Sequence, residues 1–446
     1  MSQTTVSSRD PSPRHEQLVG DVVGLCGRPY VGLRGPGEAR MGFLTVNDID
    51  VRALGSVASY NGRGYDSDPT ALRAGALCEA YERYGLLDLD DTRTRYASVA
   101  ELRGAGTAHL SPTDLLSLPA DAVRQGSFGT LPADDQPIQW VDGVSLGTGA
   151  TVLLPARYCV MFGDDASNRA SDEGHWYCAT SNGAATATSP SGACLAGLFE
   201  LLERDAFMLL WYHRLAFSHL TVDPASRLGG RLAAALTGCR LEYRLIDLTE
   251  VHGVPTVFAI VRGAAAGNVQ YGVGAGTAGS VTEAVWRAIK EALGFYSLQR
   301  RELLAGRYRE LRADEVRTFV EHPLYYMDSR NQAELGFLFA DRPARPVPAE
   351  PPEWLTGPRP EVLRRVVAHL GGRGVDLYAV DLTPAEGAAT GMFTYKVVSP
   401  QLIPLDSDHE ARHLTNERLR NEPTRRGWRP DQPELADLNH VPHPFP

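Results

Sequence analysis

Twice in this sequence a pair of glutamates three residues apart is followed at once by an arginine: Glu79-Ala-Tyr-Glu82-Arg83 and Glu200-Leu-Leu-Glu203-Arg204. On a helix, glutamates at i and i+3 share a face, and an arginine four residues after the first lies beside them. Each occurrence is preceded, at the same distance, by a helix-start signal, Asp68-Pro69 in one case and Ser189-Pro190 in the other. That signal is a capping residue followed by proline at the first helical position. Two helices are therefore expected to present one motif, a paired carboxylate with a guanidinium at its side.

Glu–Arg spacing of this kind ordinarily marks a solvated helix face and contributes a few tenths of a kcal/mol. The context of the second copy differs. Glu200, Glu203 and Arg204 are embedded in LAGLFELLERDAFMLLWYHRL, which is apolar all round and is expected to be buried. Burying a carboxylate costs several kcal/mol unless cations or strong donors meet it. Glu79, Glu82, Glu200 and Glu203 are thus expected to converge as ligands of metal ions. With no His or Cys beside them, the donor set favours a hard cation, Mg2+ rather than zinc, and Mg2+ held by few carboxylates usually bridges phosphates. That chemistry points to a nucleotide. A third helix is expected from Ser280, where Glu283 three residues on completes a capping box, and it carries Arg287 and Glu291 four apart, a spacing that a surface ion pair explains equally well.

The elements that must position these groups read as a mixed α/β, or α+β, fold. Strands such as Thr256–Val261 and Leu377–Leu382 alternate with helices of about twelve residues or more. Residues 1–15 read as a disordered arm, 16–420 as one domain, and 421–446 as a proline-rich tail; proline-rich 341–360 reads as an internal loop. A net charge of −10 without any basic block excludes nucleic acid and anionic membrane as partners. The apolar helix around Leu198 to Phe217 is broken by Glu200, Glu203, Arg204 and Asp205, so no membrane span is expected, and the polar N-terminus lacks a signal-peptide core. A cytoplasmic location follows. The six cysteines (Cys26, Cys78, Cys159, Cys178, Cys194, Cys239) form no C-x-x-C pair and read as buried free thiols. The only lysines are Lys290 and Lys396, neither preceded by glycine, so a phosphate loop is excluded and phosphate recognition must rest on arginines and backbone N–H groups. Hydrolase and dinucleotide-binding classes are set aside as well.

Taken together, Asn61-Gly-Arg-Gly, Glu79-Ala-Tyr-Glu82-Arg83, Ser181-Asn182-Gly183-AATA, Glu200-Leu-Leu-Glu203-Arg204-Asp-Ala and GVGAG followed by Ala284-VWRAIKE resemble the successive signatures of YcaO-domain proteins, over about residues 45 to 420. Tyr378-AVDLTP and Val398-SPQLIPL resemble the closing part of that domain in the azoline-forming, SagD-like branch. The terminal Pro442-His-Pro444-Phe-Pro446 is similar to the P-x-P-x-P ending of cyclodehydratases. The resemblance implies a YcaO-like fold whose two E-x-x-E-R motifs face a nucleotide site that holds ATP and Mg2+. It implies ATP and phosphate contacts from Arg63, Glu79, Glu82, Arg83, Thr188, Glu200, Glu203, Arg204, Arg287 and Glu291, and Mg2+ held by Glu79, Glu82, Glu200 and Glu203. The carboxylate of Pro446 is implied to assist proton transfer. The activity implied is ATP-dependent formation of thiazoline or oxazoline rings from Cys, Ser or Thr of a ribosomally made precursor peptide, as in thiazole/oxazole-modified microcins. A leader-binding partner related to ubiquitin-activating proteins is expected as a separate chain, because only about 45 residues precede the region of resemblance. An azoline dehydrogenase and a homodimer are further partners that the resemblance allows.

Four positions depart from the family pattern, Gly75 and Ala185 standing where Ser is usual, Arg63 near a usual Lys and Gly192 where Glu is usual, while Thr188 fits a position where Asn or Thr occurs. A second reading is therefore a YcaO paralogue without turnover that serves as a scaffold or binding subunit. A thioamide- or amidine-forming enzyme is a third, which the P-x-P-x-P ending opposes. His409-Glu410-Ala-Arg-His413 spells the H-E-x-x-H of zinc hydrolases, but its polar setting reads as a solvated helix face.

Overall fold

The computed structural model describes residues 19–20, 25–35, 37–46, 61–87, 93–119, 130–161, 176–177, 179–265, 268–306 and 308–446. The expected N-terminal arm and Cys178 lie outside them. In chain order the elements are β1 (Tyr30–Gly32), β2 (Gly42–Val46), β3 (Gly62–Asp66), α1 (Pro69–Gly85), β4 (Thr94–Ala97), β5 (Ile138–Ser145), β6 (Thr151–Pro155), β7 (Ala184–Ala187), α2 (Pro190–His213), β8 (His219–Thr221), α3 (Arg227–Leu236), β9 (Leu241–Asp247), β10 (Thr256–Ala265), β11 (Asn268–Thr277), α4 (Val281–Leu304), β12 (Ala344–Pro346), α5 (Arg359–Gly371), β13 (Tyr378–Asp381), β14 (Phe393–Val398) and α6 (Glu417–Arg425), with short helical turns between them.

The strands form three sheets: β1-β2-β3, β11-β10-β9-β8-β12, and β4-β5-β13-β14-β7 with β6 on β5. Pairing is antiparallel except between β12 and β8. One unit recurs in all three sheets, a strand followed by a capped helix that folds back against it: β3–α1, β7–α2 and β11–α4. Asp68, Ser189 and Ser280 cap the three helices, each accepting from backbone N–H groups of the first turn.

The helices lie close on their strands because glycines leave room. A Cβ on Gly62 would sit 2.1 Å from the Ala76 carbonyl oxygen of α1, and one on Gly274 would sit 2.5 Å from that of Ala288 in α4. The same spacing recurs at Gly272 and Gly276, so β11 presents a glycine stripe to an alanine ridge formed by Ala284, Ala288 and Ala292. α2 is the most buried helix and packs against β14 and β7 on one side and β11 and β10 on another, which brings the two larger sheets together around it.

Most of the proline-rich stretch is irregular, but Ala344–Pro346 pairs as an edge strand and Arg359, with Pro360 in the first turn, opens α5. The C-terminal residues are not a loose tail. α6 runs across the expected boundary at 420/421, and the last residues thread into the core formed by Phe207, Trp211 and Phe258. Phe445 is fully buried there, its apolar ring packed against Phe207 of α2 and Phe258 of β10. Cys26, Cys78, Cys159 and Cys194 are buried and Cys239 is half-buried; burial pushes Cys159 and Cys194 up to about 12, so these two are inert at neutral pH.

Candidate active site

α1 and α2 each bring one E-x-x-E-R motif to the same region. On α1, Arg83 lies 3.5 Å from Glu79 and 3.1 Å from Glu82. On α2, Arg204 lies 3.6 Å from Glu200 and 3.1 Å from Glu203, and it crosses to Glu291 of α4 at 3.9 Å. The charge of Arg83 reaches Glu200, which links the two copies electrostatically.

Two strands of the repeated unit, β3 and β11, hold glutamates of the helices through their backbone. Arg63 N–H of β3 donates to Glu79 at 3.0 Å, Thr277 N–H of β11 donates to Glu203 at 2.9 Å, and Ala275 N–H donates to Glu291 at 2.8 Å. The side chain of Arg63 is exposed, so its placed contribution is a backbone donor. Thr188 is exposed in the turn between β7 and α2.

As the side chains stand, the four glutamates do not form one cluster. They are two pairs, each closed on its own arginine, and among the described residues no group of three or more His, Cys, Asp or Glu is gathered to hold an ion. The expected capping box at Ser280 is half made: Ser280 accepts from Glu283 N–H at 3.2 Å, while the Glu283 carboxylate binds Arg287 at 2.5 Å. Arg287 also donates to the Thr277 carbonyl at 3.1 Å. It therefore pairs with Glu283 rather than with Glu291, whose partner is Arg204 on the neighbouring helix.

Electrostatically the site has too little positive charge for its carboxylates, and its central guanidinium, although ringed by carboxylates, keeps N–H groups that are not in hydrogen-bonding line with them. Burial raises Glu200, Glu203 and Glu291 above the usual carboxylate range despite Arg204, and Glu203 is pushed up to about 7. Nε and Nη1 of Arg204 are buried and make no hydrogen bond. A divalent cation would relieve the first deficit and phosphate oxygens the second, so the residues fit a metal–nucleotide complex. Two carboxylate pairs without a full cage suit Mg2+, which keeps waters and phosphate among its ligands.

Sequence reasoning missed the ring beneath Arg204, although an aromatic between the terminal prolines was a signal for it. The Arg204 guanidinium lies 4.3 Å from the centroid of Phe445, which places the residue before Pro446 against the E-x-x-E-R motif. Further hydrogen bonds hold the C-terminal residues: Trp211 Nε1 donates to the Val441 carbonyl at 3.1 Å, Tyr326 Oη to that of Pro442 at 2.5 Å, and the His322 and His443 rings stack at 3.8 Å.

The H-E-x-x-H string is neither helical nor solvated. His409 and His413 lie in buried turns, His409 Nε2 meets the His440 carbonyl at 2.9 Å, and burial pushes the two imidazoles down to about 3 and about 4. The polar composition misled because His409 packs against the C-terminal segment and His413 is buried, its backbone N–H donating to Asp406 at 2.9 Å. Two further strings spell known patterns. Gly143-Val-Ser145-Leu-Gly147 reads G-x-S-x-G, but Ser145 ends β5 at a hairpin to β6 and accepts from Thr148 N–H at 3.3 Å, which is no strand-to-helix elbow. Gly274-Ala-Gly276-Thr-Ala-Gly279 reads G-x-G-x-x-G, yet Gly274 and Gly276 serve helix packing on an antiparallel strand.

Comparison with known proteins agrees with this architecture. A solved heterocyclase in complex with substrate and cofactor superposes with a TM-score of 0.74 at 20% identity, over 97% of this chain and 56% of that one. The YcaO protein of Methanopyrus kandleri bound with AMPPCP and Mg2+ superposes at 0.59 with 16% identity, over 86% and 88%. An uncharacterized protein encoded in the tfuA 3' region of Rhizobium leguminosarum bv. trifolii is 26% identical over 259 residues, 52% of this chain and 54% of that protein. The chain thus spans about half the length of that relative and of the heterocyclase. Residues 61–403 match the model of the YcaO cyclodehydratase family, described as ATP- and Mg2+-binding, and the chain belongs to that family.

Proposed function

We propose that this protein is the ATP-dependent cyclodehydratase subunit that forms thiazoline or oxazoline rings from Cys, Ser or Thr of a precursor peptide. The observation that carries the reading is the placement of the C-terminal Phe445 against Arg204, in the middle of the paired E-x-x-E-R carboxylates. It brings the end of the chain to the site where phosphate would be handled.

In this reading a side-chain thiol or hydroxyl attacks the preceding amide carbonyl, and the oxyanion so formed takes the phosphoryl group that bound ATP supplies. Phosphate then leaves from the former carbonyl carbon, and the amide N–H gives up its proton as the C=N bond of the ring forms. Glu79, Glu82, Glu200 and Glu203 would hold Mg2+, and Arg83, Arg204 and Arg287 would neutralise charge on the phosphates. Arg63 acts through its backbone N–H by fixing Glu79, and Glu291 by holding Arg204. Thr188, exposed in the turn that leads into α2, would contact the nucleotide. The Pro446 carboxylate, one residue beyond the ring that packs against Arg204, would accept protons from the attacking side chain and the amide.

A separate leader-binding partner protein, and a dehydrogenase where azoles are the product, belong to the same reading. The test is precursor peptide, leader-binding partner, ATP and this protein, read by mass spectrometry and phosphate release. Ring formation that depends on ATP and disappears in Arg204→Gln supports it; leader-dependent peptide binding without phosphate release would instead favour a scaffold subunit.

A further inference from the structure

We propose that Arg359, at the start of α5 and outside both E-x-x-E-R motifs, binds the polyphosphate of the nucleotide. This rests on the ATP-site reading and adds a fourth helix to it.

The first observation is steric. Gly192 lies in the first turn of α2, and a Cβ there would be 2.9 Å from a terminal nitrogen of Arg359. The guanidinium thus occupies the space beside the helix into which a side chain at 192 would project. The absent side chain and the inserted arginine are two sides of one arrangement.

The second is electrostatic. Arg359 has no carboxylate within 4.0 Å among the described residues; burial and the like charge of Arg287 hold it below its ordinary value, opposed only by Glu283. Glu283 is already engaged by Arg287 at 2.5 Å. Arg359 thus relies on a carboxylate that Arg287 already holds, while Arg287 also faces Glu203. Such a pair of guanidinium groups is stabilised by an anion with several oxygens, and the planar fork of arginine suits phosphate.

The third is position. Gly192 and Glu203 are eleven residues apart on α2, close to three full turns, so they share a face over about 16 Å. Arg287 lies between them, because it donates to the carbonyl of Thr277, the residue whose N–H holds Glu203. Arg204, Arg287 and Arg359 consequently form a row along α2. Several arginines along one helix face suit a chain of phosphates better than a single phosphate.

Titration of the full-length protein with AMP-PNP and with AMP at fixed Mg2+ tests the assignment. Arg359→Gln is expected to weaken AMP-PNP binding roughly tenfold, the loss of one charge-assisted contact, and to leave AMP binding and the nucleotide-free melting temperature unchanged. Gly192→Glu, which sets a carboxylate against Arg359, is expected to weaken AMP-PNP to a similar degree, with no further loss in the double variant. Wild-type affinity for AMP-PNP in Arg359→Gln, or an equal loss for AMP, overturns this assignment alone. Failure of the wild-type protein to bind AMP-PNP at all overturns it together with the ATP-site reading.

Discussion

Replacing Glu203 by Gln should stabilise the protein while it abolishes turnover. Glu203 is 9% exposed, accepts one backbone N–H and faces Arg204, yet burial with Glu291 nearby pushes its carboxyl from 4.5 up to about 7. A folded-state value above the unfolded one means that the native chain binds this proton more tightly. The stabilisation is complete below pH 4.5 and is lost as pH rises through about 7. Above that pH the ionised group costs the folded chain on the order of 3 kcal/mol. Gln keeps the acceptor for Thr277 N–H and carries no charge. Differential scanning calorimetry should show Glu203→Gln melting about 3 °C higher than wild type at pH 8, with the gap closing by pH 4.5. A variant that melts at or below the wild-type temperature at pH 8, or a gap that does not change with pH, would refute the argument that this carboxylate is held at a cost to stability for use with a cation.

Three further outcomes are expected. Phe445→Ala empties a fully buried site under Arg204 and should cost about 3–5 kcal/mol, read as a lower melting temperature and faster carboxypeptidase digestion; full protection of the C-terminus would contradict the packing. His322, His413 and His443 are held neutral by burial, His322 and His413 at about 4, so stability should fall as pH drops from 6.5 towards 4 and protons bind preferentially to the unfolded chain. A melting temperature that stays flat across that window would count against their burial. Gly274→Ala sets a Cβ 2.5 Å from the Ala288 carbonyl and should push α4 off β11, with loss of soluble protein or a large fall in melting temperature; an unchanged melting temperature would show that the glycine stripe is dispensable.

The parts of the fold and site legible in the sequence are those set by local rules. Asp68-Pro69 and Ser189-Pro190 started helices because a capping side chain followed by proline satisfies the first turn whatever surrounds it. The apolar context of Glu200 and Glu203 announced their burial. What stayed hidden depended on distant chain segments. Nothing local to Glu291 says that its partner is Arg204 rather than Arg287, and nothing local to His409 says that it meets the His440 carbonyl near the chain's end. Arg359 was unreadable for the same reason, since it stands 167 residues from the glycine whose space it fills. The C-terminal residues read as a tail because proline cannot join a ladder, although it can lie against α2 through backbone carbonyls that Trp211 and Tyr326 engage.

The central claim is that the end of the chain works together with the paired E-x-x-E-R carboxylates. Its most direct test is a comparison of the wild-type protein with a variant lacking Pro446, in a reaction with precursor peptide, leader-binding partner and ATP, followed by mass spectrometry. Loss of one water per ring in the wild type, and little or none in the shortened protein with its melting temperature and AMP-PNP affinity intact, is the predicted result. Equal ring formation by both proteins would contradict it.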